Sequence, residues 1–253
     1  MKNLRVDLIS CAHCKRINLP NELTDELLYF VGVVVGDGSL PLKYDKRGYR
    51  KYVVVIEKAN RRFIYNILKP LAEKLFERKW SISKIIKEGH KIKYSFYLNS
   101  KPLYLYLTKF FDLPNGKKSQ IVRMPKIIRK LSFQKQLPFI AGVIDTDWGI
   151  SGDDKFGTHT ASQNLVKDVN KTFKILLKRR WKIKKYVQKK KYVSYQLVIS
   201  KADKMNLFKL FQTYFPLRNQ RRIRALMPRD SKTQDLIKDD DPVTAEVDNS
   251  SNA

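Results

Sequence analysis

Cysteine is almost missing from this 253-residue chain: Cys11 and Cys14, both in the segment CAHCK, are all there is. Two thiols cannot staple a fold of this size, so a disulfide framework is excluded. With His13 they could form half of a zinc site, but no second pair follows at ligand spacing, and two reduced thiols is the simpler reading. Long apolar runs are missing too. None approaches the roughly 20 residues of a membrane-spanning helix, and the start, MKNLRVDLIS, lacks the apolar core of a signal peptide. The expectation is an intracellular protein, in the cytoplasm or on the nucleoid of a prokaryote or an organelle, with no membrane partner. Negative charge is the third scarcity: 24 Asp and Glu stand against 52 Lys and Arg, a formal net charge of +28. So basic a surface repels itself unless something neutralises it, and nucleic acid is the polyanion this implies.

The chain is otherwise ordinary globular material, 43% hydrophobic, enough to bury one or two cores. Residues 1–23 read as an arm ending in the turn signal NLPNEL. A helix is then predicted from Thr24, a good N-cap, through LLYFVGVVVGDG to about Gly36. YRKYVVVIEK reads as a strand, NRRFIYNILKPLAEKLFERK as a helix, WSISKII and KIKYSFYLN as a hairpin around Glu88-Gly89, and KPLYLYLTKFFDL as a third helix. After a basic link over 117–132, expected to be helical, the same order returns from QLPFIAGVIDTD onward. Trp181 follows Trp80 by 101 positions, Tyr195 follows Tyr94 by 101, and Lys201 of the second Ser-Lys pair follows Lys101 by 100. Landmarks in one register argue for an internal duplication. The divisions are therefore an arm (1–23), a first half (24–116), a linker (117–132), a second half (133–230), and an acidic tail (231–253) read as disordered.

Each half opens with a helix that ends in an aspartate, Phe30 to Asp37-Gly38 and Ile140 to Asp147-Trp148. Gly32 and Gly36 in the first, and Ala141 and Gly142 in the second, are small enough for the two helices to pack backbone to backbone. That docking would bring Asp37 and Asp147 together. A carboxylate at a helix C-terminus faces the negative end of the dipole and unsatisfied carbonyls, an arrangement a hard cation relieves. Mg²⁺ needs only one or two carboxylates besides carbonyl, phosphate and water oxygens, which suits metal-assisted hydrolysis of a phosphodiester.

The paired segments resemble the signature of the LAGLIDADG homing endonucleases, of the monomeric two-motif type, and the similarity covers roughly residues 24–218. The resemblance implies an α+β fold of two pseudo-symmetric αββαββα halves. Their antiparallel sheets would form a DNA-binding saddle, with the motif helices at the interface. It implies a monomeric, site-specific double-strand endodeoxyribonuclease that reads a long asymmetric target through the major groove. Mg²⁺ would be the cofactor, Mn²⁺ a substitute, and Ca²⁺ a supporter of binding without cleavage. By position it makes Asp37 and Asp147 metal ligands, aided by the backbone at Gly36 and Thr146. It makes Lys101 and Lys201, just before each third helix, candidates to stabilise transition-state charge. It adds Lys58 and Gln163 as polar residues at the end of the second strand in each half. Trp148 departs from the pattern, which has glycine there. Its indole is expected to crowd the DNA-facing floor and slow cleavage of one strand.

Strand alternation supplies the candidate DNA contacts. In the first half Val53 and Val55 are read as packing under the sheet, with Arg50 and Tyr52 pointing outward, joined by Ser83, Lys87 and Lys93. In the second, Lys182, Lys184, Tyr186 and Gln188 lie opposite Ile183 and Val187, while Ser194 and Gln196 alternate with Tyr195, Leu197 and Ile199. Two alternatives stay open: a maturase that binds intron RNA, and a DNA-binding protein that no longer cleaves.

Overall fold

The computed structural model describes residues 17–86, 88–89, 92–116, 118–151, 155–188, 192–219, 223 and 226–227. Cys11, Cys14, Lys87 and the segment read as an acidic tail lie outside them. The end of the arm is fastened to the first half: Ile17 is buried, the Asn18 N–H donates to the Phe76 carbonyl at 3.1 Å, and the Tyr106 hydroxyl donates to the Pro20 carbonyl at 2.6 Å.

Helix α1 (Asp25–Asp37) starts at Thr24, whose hydroxyl accepts from the Leu27 N–H, and every residue from Leu27 to Val35 is buried. A helix apolar all round has to be a core helix, and its partner is α5 (Leu137–Asp147), buried from Leu137 to Thr146. After α1 the chain makes two short strands, β1 (Gly38–Ser39) and β2 (Leu42–Tyr44), both paired antiparallel with β3 (Arg50–Lys58). A helix follows, π-wound over Phe63–Leu68 and continuing as α2 (Lys69–Phe76), then β4 (Ser81–Ile85), β5 (Lys93–Asn99) and α3 (Lys101–Leu105), which runs on as a π-helical segment to Phe110.

The expected helical linker is helical only over α4 (Lys126–Arg129), because Pro125 precedes it and turns occupy the segment before. The second half then gives β6 (Trp148–Ser151), β7 (Lys155–Thr160), α6 (Gln163–Leu177), β8 (Ile183–Gln188), β9 (Tyr192–Ile199) and α7 (Lys201–Tyr214) after α5.

The two sheets have the same antiparallel order: β1-β3-β5-β4, with β2 added to β3, and β6-β7-β9-β8. The registers are equivalent as well. Lys58 pairs with Tyr94 and Thr160 with Tyr195; Gly38 pairs with Ile56 and Trp148 with Thr158. One face of each sheet packs on helices, and the cores of the two halves merge through α1 and α5 into one buried cluster. The fold is thus α+β with two pseudo-symmetric halves. Among the described residues no helix is long and apolar enough to cross a membrane.

Candidate active site at the helix seam

The seam is set by two glycines. A Cβ on Gly32 would lie 2.0 Å from the Phe139 carbonyl oxygen, and one on Gly142 would lie 2.2 Å from the Tyr29 carbonyl oxygen. The reciprocal contacts are what a two-fold between the halves requires. Gly142 is thus a small residue held against the opposite backbone. One turn further on the pair is unequal: a Cβ on Gly36 would meet Thr146 Oγ1 at 2.0 Å and Asp147 Cβ at 3.6 Å. Gly36 is a socket for the Thr146 side chain, whose hydroxyl donates to the Gly142 carbonyl at 2.8 Å.

These contacts bring the C-terminal ends of α1 and α5, and so Asp37 and Asp147, to one place. Two lysines gather there. Lys58, last residue of β3, donates to Asp37 Oδ2 and to the Thr146 carbonyl, bridging the halves. Lys118, from the linker, donates to the Val34 carbonyl and, at 2.7 Å, to the Val35 carbonyl. Both ammonium groups meet the negative ends of helices, where cations are favoured. Burial pushes Lys118 down to about 8, against the opposing pull of Asp37 and Asp147, so it feels both carboxylates.

Asp145, two residues before Asp147, turns the other way, since successive helical residues are about 100° apart. It is fully buried and accepts from the Tyr29 hydroxyl of α1 at 2.7 Å and the Arg218 backbone N–H at 2.8 Å. The Asn219 amide donates to the Asp145 carbonyl at 2.7 Å, and the Arg218 guanidinium lies 4.8 Å from the Tyr29 ring centroid. Burial, the Asp145 charge and their hydrogen bond hold the Tyr29 phenol protonated, well above its ordinary value. Asp145 therefore bolts α1 and the chain after α7 onto the seam.

Several site expectations change. Lys101 opens α3 beside its cap Ser100, and its ammonium lies 5.7 Å from the Tyr52 ring centroid. Tyr52 and Lys58 are separated by six steps of one strand, about 20 Å, so Lys101 is not gathered with the aspartates. Lys201 opens α7 in the same way, after Ser200. The repeated Ser-Lys pairs record helix starts, in which each serine hydroxyl accepts from a first-turn N–H. Gln163 is the exposed first residue of α6 rather than a strand end; by register the equivalent of Lys58 is Thr160. Trp148 does not crowd an outer floor. Its ring is 1% exposed and packs edge-on against Phe173, centroids 6.2 Å apart. Its backbone is extended like that of Gly38, and the N–H of each closes its helix.

The outer faces of the sheets are the candidate nucleic-acid surface. In β3, Val54 and Ile56 are fully buried and Tyr52 packs against Tyr104 at 5.3 Å. Arg50 and Tyr52 therefore share the parity of the core-facing Val54 and Ile56, although Arg50 at the strand's start is exposed, and Lys51, Val53, Val55 and Glu57 lie on the other face, where Val55 is nonetheless buried: the expected alternation is off by one residue. Ser83 is exposed on β4, opposite Ser95, and Lys93 is exposed on β5, opposite Ile85. In the second half Lys184 lies directly opposite Gln196, Tyr186 opposite Ser194 and Gln188 opposite Tyr192, alternating with the partly buried Ile183. Gln196 is buried at 3% exposure, and Lys182 precedes β8 as an exposed residue.

The donor set fits a hard divalent cation. Among the described residues no three His, Cys, Asp or Glu side chains form a cage, but two carboxylates and helix-end carbonyls converge. One cation, the Lys58 ammonium, is already held between a carboxylate and a carbonyl from opposite halves.

The architecture, two pseudo-symmetric halves joined through a pair of helices beneath two antiparallel sheets, is the homing-endonuclease fold. Mesophilic variants of the homing endonuclease I-DmoI superpose with a TM-score of 0.56 at 19% identity, over 78% of this chain and 99% of that one. The homing endonuclease I-WcaI, bound to its DNA recognition sequence, superposes with a TM-score of 0.52 at 15% identity, over 79% and 87%. I-DmoI is also known in complex with DNA and Mn, and with DNA and Ca. No family model and no curated protein matches the sequence.

Proposed function

We propose that the chain is a site-specific double-strand DNA endonuclease, acting as a monomer on a long asymmetric target. The observation that carries this is the meeting of Asp37 and Asp147 at the ends of two helices packed backbone to backbone, with Lys58 and Lys118 beside them. A divalent ion, Mg²⁺ or Mn²⁺, would be held by the two aspartates with the Gly36 and Thr146 carbonyls; when bound it supplies activation of water and neutralisation of the leaving oxygen. The chain's own residues do the rest. Lys118, kept near its titration point by burial, is placed to stabilise negative charge developing on a phosphate. Asp145 and Tyr29 fix the seam so that both carboxylates stay in position. The two sheets offer Ser83, Lys93, Lys184 and Tyr186 to the groove and backbone of double-stranded DNA.

Incubation with Mg²⁺ and a plasmid carrying the uninterrupted host locus tests the reading. A single linear product supports it, and an unchanged supercoiled plasmid that is nonetheless bound contradicts it.

A further inference from the structure

Lys58 and Thr160 hold equivalent places in the two sheets, each ending its strand opposite an equivalent tyrosine. Among the described residues, the first half's strand end therefore sends an ammonium to the helix ends and the second half's strand end, Thr160, does not. That ammonium touches one oxygen from each half, a carboxylate oxygen of Asp37 and the carbonyl of Thr146. Both side chains of the ion pair are largely shielded, 12% exposed for Lys58 and 26% for Asp37.

We propose that Lys58 is the resident cation of the metal-free protein: its ammonium occupies the position between Asp37 and Thr146, holds the two halves together there, and withdraws when a divalent ion binds. This rests on the metal-dependent reading given above. Lys118 is already engaged by the Val34 and Val35 carbonyls, so without Lys58 the Asp37 carboxylate and the Thr146 carbonyl would face one another across a close-packed seam with no donor between them, an arrangement that electrostatics opposes. An ammonium relieves this with one charge and three donors, whereas a divalent ion needs the same oxygens at shorter range, so the two exclude each other. The flexible four-carbon stem lets the ammonium leave while β3 stays where it is. Thr160 carries no charge, so the end of β7 cannot place an ammonium at the position equivalent to Lys58.

The test is calorimetric titration of Mn²⁺ into the full chain without DNA, paired with thermal melting in EDTA and in Mn²⁺. Lys58→Met is expected to bind Mn²⁺ at least tenfold tighter than the wild type. It should melt lower in EDTA and recover more of its melting temperature on Mn²⁺ addition. Lys58→Gln keeps donors without charge and should give the same tightening with a smaller loss of melting temperature, which guards against a poorly folded Met variant. Equal or weaker Mn²⁺ affinity in both variants, or melting in EDTA that does not change, overturns the proposal. Asp37→Asn and Asp147→Asn separate the two failures. If these abolish Mn²⁺ binding while the Lys58 variants bind like the wild type, only the resident-cation assignment falls. If they leave Mn²⁺ binding unchanged, the metal site falls with it.

Discussion

The two ends of the helix seam are built on equivalent positions and filled differently. On the first-half side Asp37 is followed by a strand ending in Lys58, and Lys118 covers the last carbonyls of α1. On the second-half side Asp147 follows the buried Asp145, the strand ends in Thr160, the Lys58 ammonium reaches across to the Thr146 carbonyl, and Tyr29, Arg218 and Asn219 hydrogen-bond to Asp145. The two lysines come from the first half's sheet and the linker, while the second half adds the structural hydrogen bonds of Asp145. The duplicated scaffold thus preserves what both halves need, the aspartates and the glycine contacts, and lets the surroundings diverge. The sharpest way to break this comparison is to attack what is shared. Gly32→Val and Gly142→Val each drive a side chain into the opposite backbone and should each cost about 4 kcal/mol or more in urea unfolding. A large difference between the two would mean the seam is less symmetric than its contacts indicate.

A smaller effect probes what is not shared. Tyr29→Phe removes a hydroxyl that donates to the buried Asp145 carboxylate and should cost about 2 kcal/mol, read as a shift in urea midpoint with unchanged slope. At the equivalent place in the other helix Phe139 has no hydroxyl to donate. A loss below about 0.5 kcal/mol would remove Asp145 from the account of how the halves are joined.

Much of this arrangement was legible in the sequence because it rests on local signals. Thr24 as a cap, the apolar run of α1, the turn at Glu88-Gly89 and the 101-residue spacing of Trp80 and Trp181 each state their meaning within a few residues. The second sheet's alternation was readable because Lys184, Tyr186, Ile183 and Val187 differ in polarity. The first was not: VVVI at 53–56 is apolar on both faces, so nothing local fixed which parity meets the core. Lys118 was hidden because it belongs to the linker and reaches the site only through the tertiary fold. Lys101 and Lys201 shared a spacing with the true landmarks, but the spacing belongs to helix caps. Trp148 looked obstructive because the sequence shows its size and not that Phe173 waits beneath it.

The smallest expected effect is on pH dependence. The folded protein holds Lys118 near 8, whereas the ordinary value is 10.5, so between these values the unfolded chain binds more protons. Stability of the metal-free protein should therefore rise with pH across that window, with the full cost of the charge present below about 8. Urea titrations in EDTA at intervals through the window would measure the slope, and Lys118→Met should flatten it. A slope of opposite sign would contradict the burial of this ammonium.

The most direct measurement is single-turnover cleavage by Asp37→Asn and Asp147→Asn, run with thermal melting and DNA-binding anisotropy on the same samples. Each amide keeps the shape of its carboxylate and removes the charge, so the shared metal centre predicts that each variant alone loses double-strand cleavage by on the order of a thousandfold or more. Affinity should change little and both variants should stay folded, because the helix ends remain closed by the Gly38 and Trp148 backbones, with Asp37→Asn melting modestly lower through its weakened contact with Lys58. Cleavage of both strands near the wild-type rate by either variant, or a loss of activity that tracks a loss of fold, would contradict a centre shared between the two halves.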